Sequence, residues 1–264
     1  MKHKLYNGEV ELYFDPTLHI YTVNNDIVYG VTSIVGILNK PALMYWAVNK
    51  AVEYIDNNLK VGTTVDEINK ADLLKEAKYA HRKHKETAGD VGTIIHNWLE
   101  KYIKATISKQ APPEPPVNKD IRAGVETVLG WVTREKVTFV SSERIVYSRK
   151  YKYAGTLDAE VRIDGKLAVI DFKSSSGIYP EHFLQTSAYV KALEEETGNK
   201  YDYTKIILIP KNGGEPAYAD NENIDLYFKS FLGCLENYKR IRWEKTMKIE
   251  KKKMLINSSL NGEH

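Results

Sequence analysis

Two aspartates, Asp158 and Asp171, flank the dipeptide Asp164-Gly165 in the run Gly155-Thr-Leu-Asp-Ala-Glu-Val-Arg-Ile-Asp-Gly-Lys-Leu-Ala-Val-Ile-Asp-Phe-Lys173. Asp-Gly between alternating apolar positions is a strong signal for a two-residue hairpin turn. With that turn closed, Ile163 faces Lys166, and counting outward sets Asp158 opposite Asp171. The alternation then gives Leu157, Ala159, Val161, Ile163, Ala168, Ile170 and Phe172 one apolar face. Asp158, Glu160, Asp171 and Lys173 take the other. Directly opposed side chains lie ~4.5–5.5 Å apart at Cβ, where like charges repel. A cation between the two carboxylates relieves that repulsion. Hard divalent ions such as Mg2+ favour such oxygens together with water and phosphate. Lys173 adds an ammonium beside them.

The elements that must position these groups follow from periodicity. The first forty residues read as strands, with a hairpin of Leu18 to Val23 and Ile27 to Val31 around Asn24-Asn25-Asp26. Pro41 suits the first turn of a helix running to about Leu59. Helical stretches are expected over 65–87 and 93–106, broken at Ala88-Gly89-Asp90-Val91-Gly92, and again over 120–136. Between them, Ser108 to Asn118 carries four prolines and reads as an exposed loop. Strands are expected at 138–147, 153–163, 166–173 and 203–209, with a helix from Pro180 to about Glu196. A last helix runs from Ile224 to about Glu250 with Tyr227, Phe231, Leu235 and Tyr238 on one stripe. The order predicts an α/β (α+β) fold, a central mixed sheet flanked by helices. The expected segmentation is an N-terminal hairpin and helical part over 1–88, a core over 89–254 and a flexible tail over 255–264.

Composition narrows the classes. The chain of 264 residues is 42% hydrophobic and 28% charged, as in ordinary globular proteins. No apolar run approaches the ~20 residues of a membrane span, and the N-terminus lacks the apolar stretch of a signal peptide. The single cysteine, Cys234, excludes an internal disulfide framework and any all-cysteine metal or iron–sulfur site, and a cytoplasmic location is expected. The net charge of +3 says little about partners, although basic residues gather at His81-Arg-Lys-His-Lys85 and between Lys239 and Lys253. Such runs track phosphate backbones in some proteins and are solvated helix faces in others.

Taken singly, the remaining motifs are ordinary. Asp-x-Lys on a strand is commonly a surface ion pair. His96 with Glu100 one turn later is a usual helical pair, as are Gln185 and Tyr189 at i, i+4. Their succession is more specific. His96 in a Gly-x-x-x-His helix, Glu143 on a strand, Gly155-Thr-Leu-Asp158, Asp171-Phe-Lys173 and Gln185-x-x-x-Tyr189 together resemble the RecB-like branch of the PD-(D/E)xK nuclease superfamily. The likeness covers roughly residues 89 to 192. A fainter one, through His19-Ile-Tyr21, Val31-Thr-Ser33 and Lys40 to Trp46, points to phage exonucleases and the mitochondrial genome maintenance exonuclease. The one cysteine departs from the relatives that bind an iron–sulfur cluster, so no cluster is expected.

The resemblance implies that Asp158 and Asp171 ligate one or two Mg2+ or Mn2+ ions. His96 would be a further ligand, with the Phe172 carbonyl beside it. Lys173 would orient the attacking water and steady charge on the phosphate, while Gln185 and Tyr189 position that lysine or a backbone phosphate. Glu143 matches an acidic position of the family, either on the ion or behind its ligands, and Glu100 would stand behind them. The implied activity is a metal-dependent DNA exonuclease in phage or bacterial DNA processing, recombination or repair, acting on single strands or free ends. The rival readings are a structure-selective endonuclease and a non-catalytic DNA-binding subunit. No membrane partner is expected.

Overall fold

The computed structural model describes residues 1–38, 40–60, 62, 64, 66–210 and 214–260, with side chains described except at 67–68, 85–90 and 248–260. By its contacts the chain divides into two units: Met1–Leu38 with Val132–Leu208 and Pro216–His264, and Asn39–Trp131 with Ile209–Glu215. This division differs from the 1–88 and 89–254 segmentation, because both ends of the chain join the same unit.

Among the described residues the first unit is built on a nine-stranded mixed sheet. Its strands are β1 (Lys2–Leu5), β2 (Val10–Asp15), β3 (Ile20–Val23), β4 (Asp26–Gly30), β5 (Thr138–Ser148), β6 (Tyr153–Ile163), β7 (Lys166–Lys173), β8 (Tyr203–Leu208) and β9 (Ala217–Asn221). Two tight turns set the registers. Asn24 and Asn25 (φ 52° and 68°) join β3 to β4, and Asp164 and Gly165 (φ 49° and 79°) join β6 to β7. Both central residues are left-handed in each, the geometry that suits the twist of an antiparallel hairpin. The β6–β7 ladder runs from Ile163↔Lys166 to Ala159↔Ile170, the expected register.

Helices cover this sheet. In the first unit they are α1 (Val31–Val35), α5 (Pro180–Thr197) and α6 (Ile224–Leu260). α5 crosses from β7 to its parallel neighbour β8 and packs on β5, β6, β7 and β8, with α6 against it. Phe231 and Leu235 of the expected α6 stripe are wholly buried, with Tyr227 and Tyr238 packed beside them. α6 continues to Leu260, past the expected end near Glu250; of the tail expected over 255–264, residues 261–264 lie outside the described residues. A short final strand, β9, gives no sequence signal and completes the sheet edge against β8.

The hairpin does not have one apolar and one solvated face. Leu167 and Val169 join the α5 core, and Glu160 is only 2% exposed. It is held by Ser141 Oγ at 3.0 Å, Arg144 Nη1 at 3.3 Å and the Tyr201 hydroxyl at 2.6 Å. At Glu160 the second face is thus buried, with the charge partnered by three side chains.

The second unit contains α2 (Pro41–Asn58), α3 (Glu67–Ile107) and α4 (Lys119–Arg134). α3 starts where Asp66 Oδ1 accepts the Asn69 N–H at 2.7 Å, and runs unbroken through Ala88 to Gly92. A glycine inside a helix costs about 1 kcal/mol but, unlike proline, does not block it. The proline-rich loop is tied to its flanking helices, as Trp98 Nε1 donates to Glu114 O at 2.8 Å and Arg122 Nε to Pro116 O at 3.1 Å. Among the described residues no helix is long and apolar enough to cross a membrane.

Candidate active site

β5 lines one edge of β6 along nearly its whole length. The other edge is shared. β4 pairs in parallel with Tyr153 and Ala154 at its start, and β7 pairs antiparallel with Ala159 to Ile163 at its end. Gly155, Thr156, Leu157 and Asp158 therefore have no strand partner on that edge among the described residues. The Gly155-Thr-Leu-Asp158 motif is this fork. On its other edge β7 pairs with β8 from Ala168 to Lys173, so Asp171, Phe172 and Lys173 keep that partner where the β6 ladder has ended.

Asp158 bridges the fork, its Oδ2 accepting the Phe172 N–H at 2.8 Å. A carboxylate here takes the place of a main-chain acceptor. Asp171 is 1% exposed, and Lys173 Nζ lies 2.6 Å from its Oδ2. Burial pushes the Asp171 carboxyl above its ordinary range; Lys173 opposes this, Asp158 adds to it, and His182 opposes it more weakly. Burial also works against the Lys173 charge, but Asp171 and Asp158 together raise its pKa above the ordinary value. The ammonium is held as a cation.

Behind it, Lys173 Nζ donates to Gln185 Oε1 at 3.4 Å, and Gln185 Nε2 donates to the Tyr189 hydroxyl at 2.8 Å. These two α5 residues are one turn apart, as the i, i+4 spacing requires. The Tyr189 ring explains Gly155: a Cβ there would lie 2.4 Å from Tyr189 Cε1. Burial, chiefly, keeps the Tyr189 phenol protonated.

Glu143 sits on β5 between the pairs Ser142↔Ala159 and Arg144↔Leu157, at the level of Asp158. Its φ of 49° is left-handed, a conformation that costs a non-glycine residue of order 1–3 kcal/mol. Its charge acts on Tyr21 of β3, whose phenol is raised first by burial and whose hydroxyl lies 3.0 Å from Thr156 Oγ1. His96 and Glu100 belong to α3 in the second unit. His96 is half-buried beside the buried stripe of Ile95, Leu99 and Ile103, and Glu100 pairs with Lys104 Nζ at 2.5 Å. Among the described residues no group of three or more His, Cys, Asp and Glu side chains could hold a metal ion.

Sequence reasoning gave Tyr21, Thr156 and His182 no role. His182 Nδ1 accepts the Tyr179 N–H at 3.2 Å while the ring lies within electrostatic reach of Asp171. The one available signal was Gly155, since a glycine inside a strand marks a close approach.

The second basic run carries its own acids. Lys239 pairs with Glu236 at 2.7 Å and Arg240 pairs with Glu244, so part of the second is neutralised locally.

No family model matches the sequence. A curated relative, mitochondrial genome maintenance exonuclease 1 of Xenopus tropicalis, is 27% identical over 166 residues, 58% of this chain and 46% of that protein. The chain thus spans less than half the length of that relative, which carries the same name as the exonuclease its motifs resemble. Among solved structures, LHK-Exo in complex with dAMP aligns with a TM-score of 0.38 at 10% identity, over 61% of this chain and 85% of that one. The alkaline exonuclease LHK-Exo from Laribacter hongkongensis gives a TM-score of 0.28 at 11% identity, over 58% and 85%. Overlaps of that size carry nothing about activity.

Proposed function

We propose that the chain is a divalent-metal-dependent DNA exonuclease that hydrolyses phosphodiester bonds from strand ends, in phage or bacterial DNA processing, recombination or repair. The observation that supports this most is the fork itself. A buried acid with a cation held against it stands beside a second acid at a strand edge that has no strand partner among the described residues. The named relative supports the same class of reaction.

The residues suit a hard divalent ion. Asp158, whose Oδ2 accepts the Phe172 N–H, and the buried Asp171 would be its carboxylate ligands. Water, phosphate oxygens and the Phe172 carbonyl would complete the shell. Bound there, Mg2+ or Mn2+ would lower the pKa of a water and neutralise the phosphate.

The chain's own groups do the rest. Because Lys173 holds its proton firmly, it acts as a positive charge toward the phosphate rather than as the base. Gln185 accepts from the ammonium and donates to Tyr189, which keeps Lys173 from swinging away when Asp171 turns to the ion.

Asp158→Asn provides the test, since the amide oxygen can still accept the Phe172 N–H while the charge is gone. The variant should fold with an unchanged melting temperature, lose Mn2+ binding in calorimetry, and lose digestion of end-labelled linear DNA by at least a hundredfold. Wild-type protein should digest linear DNA only with Mg2+ or Mn2+ and spare a circular single strand. Full activity of Asp158→Asn would sink the assignment. Cutting of circles would favour an endonuclease, and metal binding without cleavage a DNA-binding subunit.

A further inference from the structure

The hairpin of β2 and β3 carries a cluster of rings that continues outward from the fork. Phe14 and Tyr21 are cross-strand partners whose rings stack, with centroids 4.6 Å apart and planes 22° from parallel. The Tyr21 ring crosses β4 over Gly30, where a Cβ would lie 3.4 Å from Tyr21 Cε2, and its hydroxyl ends on Thr156 in the fork. Two residues of extended strand, about 6.5 Å, separate Thr156 from Asp158. A third ring closes the outer end. His19 stands edge-on to Phe14 at 5.3 Å and to Tyr21 at 5.9 Å. Tyr21 is 2% exposed and Phe14 half-buried, whereas His19 faces solvent. Its backbone is left-handed, φ 52°, in a turn that Asp15 Oδ1 fixes by accepting the Thr17 and Leu18 N–H groups at 2.9 and 3.0 Å. A conformation unfavourable outside glycine thus folds an exposed ring back onto a buried pair.

We infer that His19 and Phe14 form a stacking platform for one base of the DNA strand whose phosphate lies at the fork. The inference rests on the exonuclease reading and adds how the strand is held there. Every base has a flat π face, so rings hold a strand whatever its sequence, as processive removal of nucleotides requires. Charge selects the base over the backbone. Asp15 closes the turn that carries His19, and the Glu143 charge reaches Tyr21, so a phosphate is repelled where an uncharged base is not. The platform is joined to the catalytic strand by the Tyr21–Thr156 bond, which sets its distance from Asp158.

Binding of short single-stranded DNA in chelator, with one abasic nucleotide moved stepwise inward from the end, tests this without cleavage. The wild-type chain should lose about tenfold in affinity at one position of the missing base. His19→Asn removes the ring and suits the left-handed backbone, so its melting temperature should not change. It should bind the intact strand about tenfold more weakly and show no further loss at that position. Phe14→Leu, which keeps apolar volume, should repeat the result. Tyr13→Ala, 50% exposed on the other face of β2, should match the wild type. A positional loss untouched by His19→Asn would overturn the platform, as would equal losses at every position, which would make the backbone the ligand. If the wild-type chain also digests DNA with metal, either result sinks the platform alone. Absence of digestion with any metal sinks the exonuclease reading, whatever the abasic series shows.

Discussion

Tyr21 comes to the fork from β3, more than a hundred residues before Asp158 in the chain, and reaches Thr156 with its hydroxyl. A hydrogen bond of this kind contributes about 0.5–1.5 kcal/mol, and here it also fixes the stretch that presents Asp158. Tyr21→Phe and Thr156→Val should each destabilise the fold by that amount, and the double variant by little more than either alone. A chemical-denaturation cycle with no coupling would show the contact to be incidental. Asp158, Asp171 and Lys173 were legible in the sequence because a two-residue turn and a period of two decide their register without outside help. Tyr21 and His182 were not, since each depends on pairings or packing that span long stretches of chain. The burial of Glu160 was out of reach for the same reason. Nothing near it in sequence announces that Arg144, Ser141 and Tyr201 will enclose it.

At the level of elements, α5 matters most, because it holds Gln185 and Tyr189 against the open edge of β6. Gly155→Ala should push the Tyr189 ring away, costing about 1–3 kcal/mol in denaturation and weakening cleavage with it. Gly130→Ala in α4 is the control: a Cβ there meets nothing within 4 Å. In a helix the exchange should be neutral or stabilising by about 0.4–1 kcal/mol. Boundaries of β6, β7 and α5 follow closely from turn chemistry and Pro180, whereas the break expected at 88–92 is absent. A glycine only weakens a helix, so its effect depends on packing that local reading does not supply. The parallel contact of β4 with β6 lay equally beyond reach, joining Tyr29 to Tyr153 and Gly30 to Ala154.

Across the whole molecule, many of the eighteen tyrosines serve the interior. Tyr153 and Tyr189 are held well above the ordinary phenol range, each mainly by burial. Tyr203 is pushed up to about 12, also by burial first and then by Asp220 and other acids. The folded chain keeps these protons at a pH where the unfolded chain has released them, so stability is complete below about pH 10 and falls as pH rises toward 12. Absorbance of tyrosinate and circular dichroism, followed together, should show these residues ionising only as structure is lost. Early ionisation with the fold intact would contradict the burial. The fork has a further bearing on which relatives of this chain can exist. Ala154 and Ala159 are each anchored by flanking strands, so the tetrapeptide between them behaves as a fixed gauge. Adding or deleting one residue there would rotate the acid away from Phe172 while both hairpins stayed closed. Length variation among functional descendants should consequently be confined to the turns.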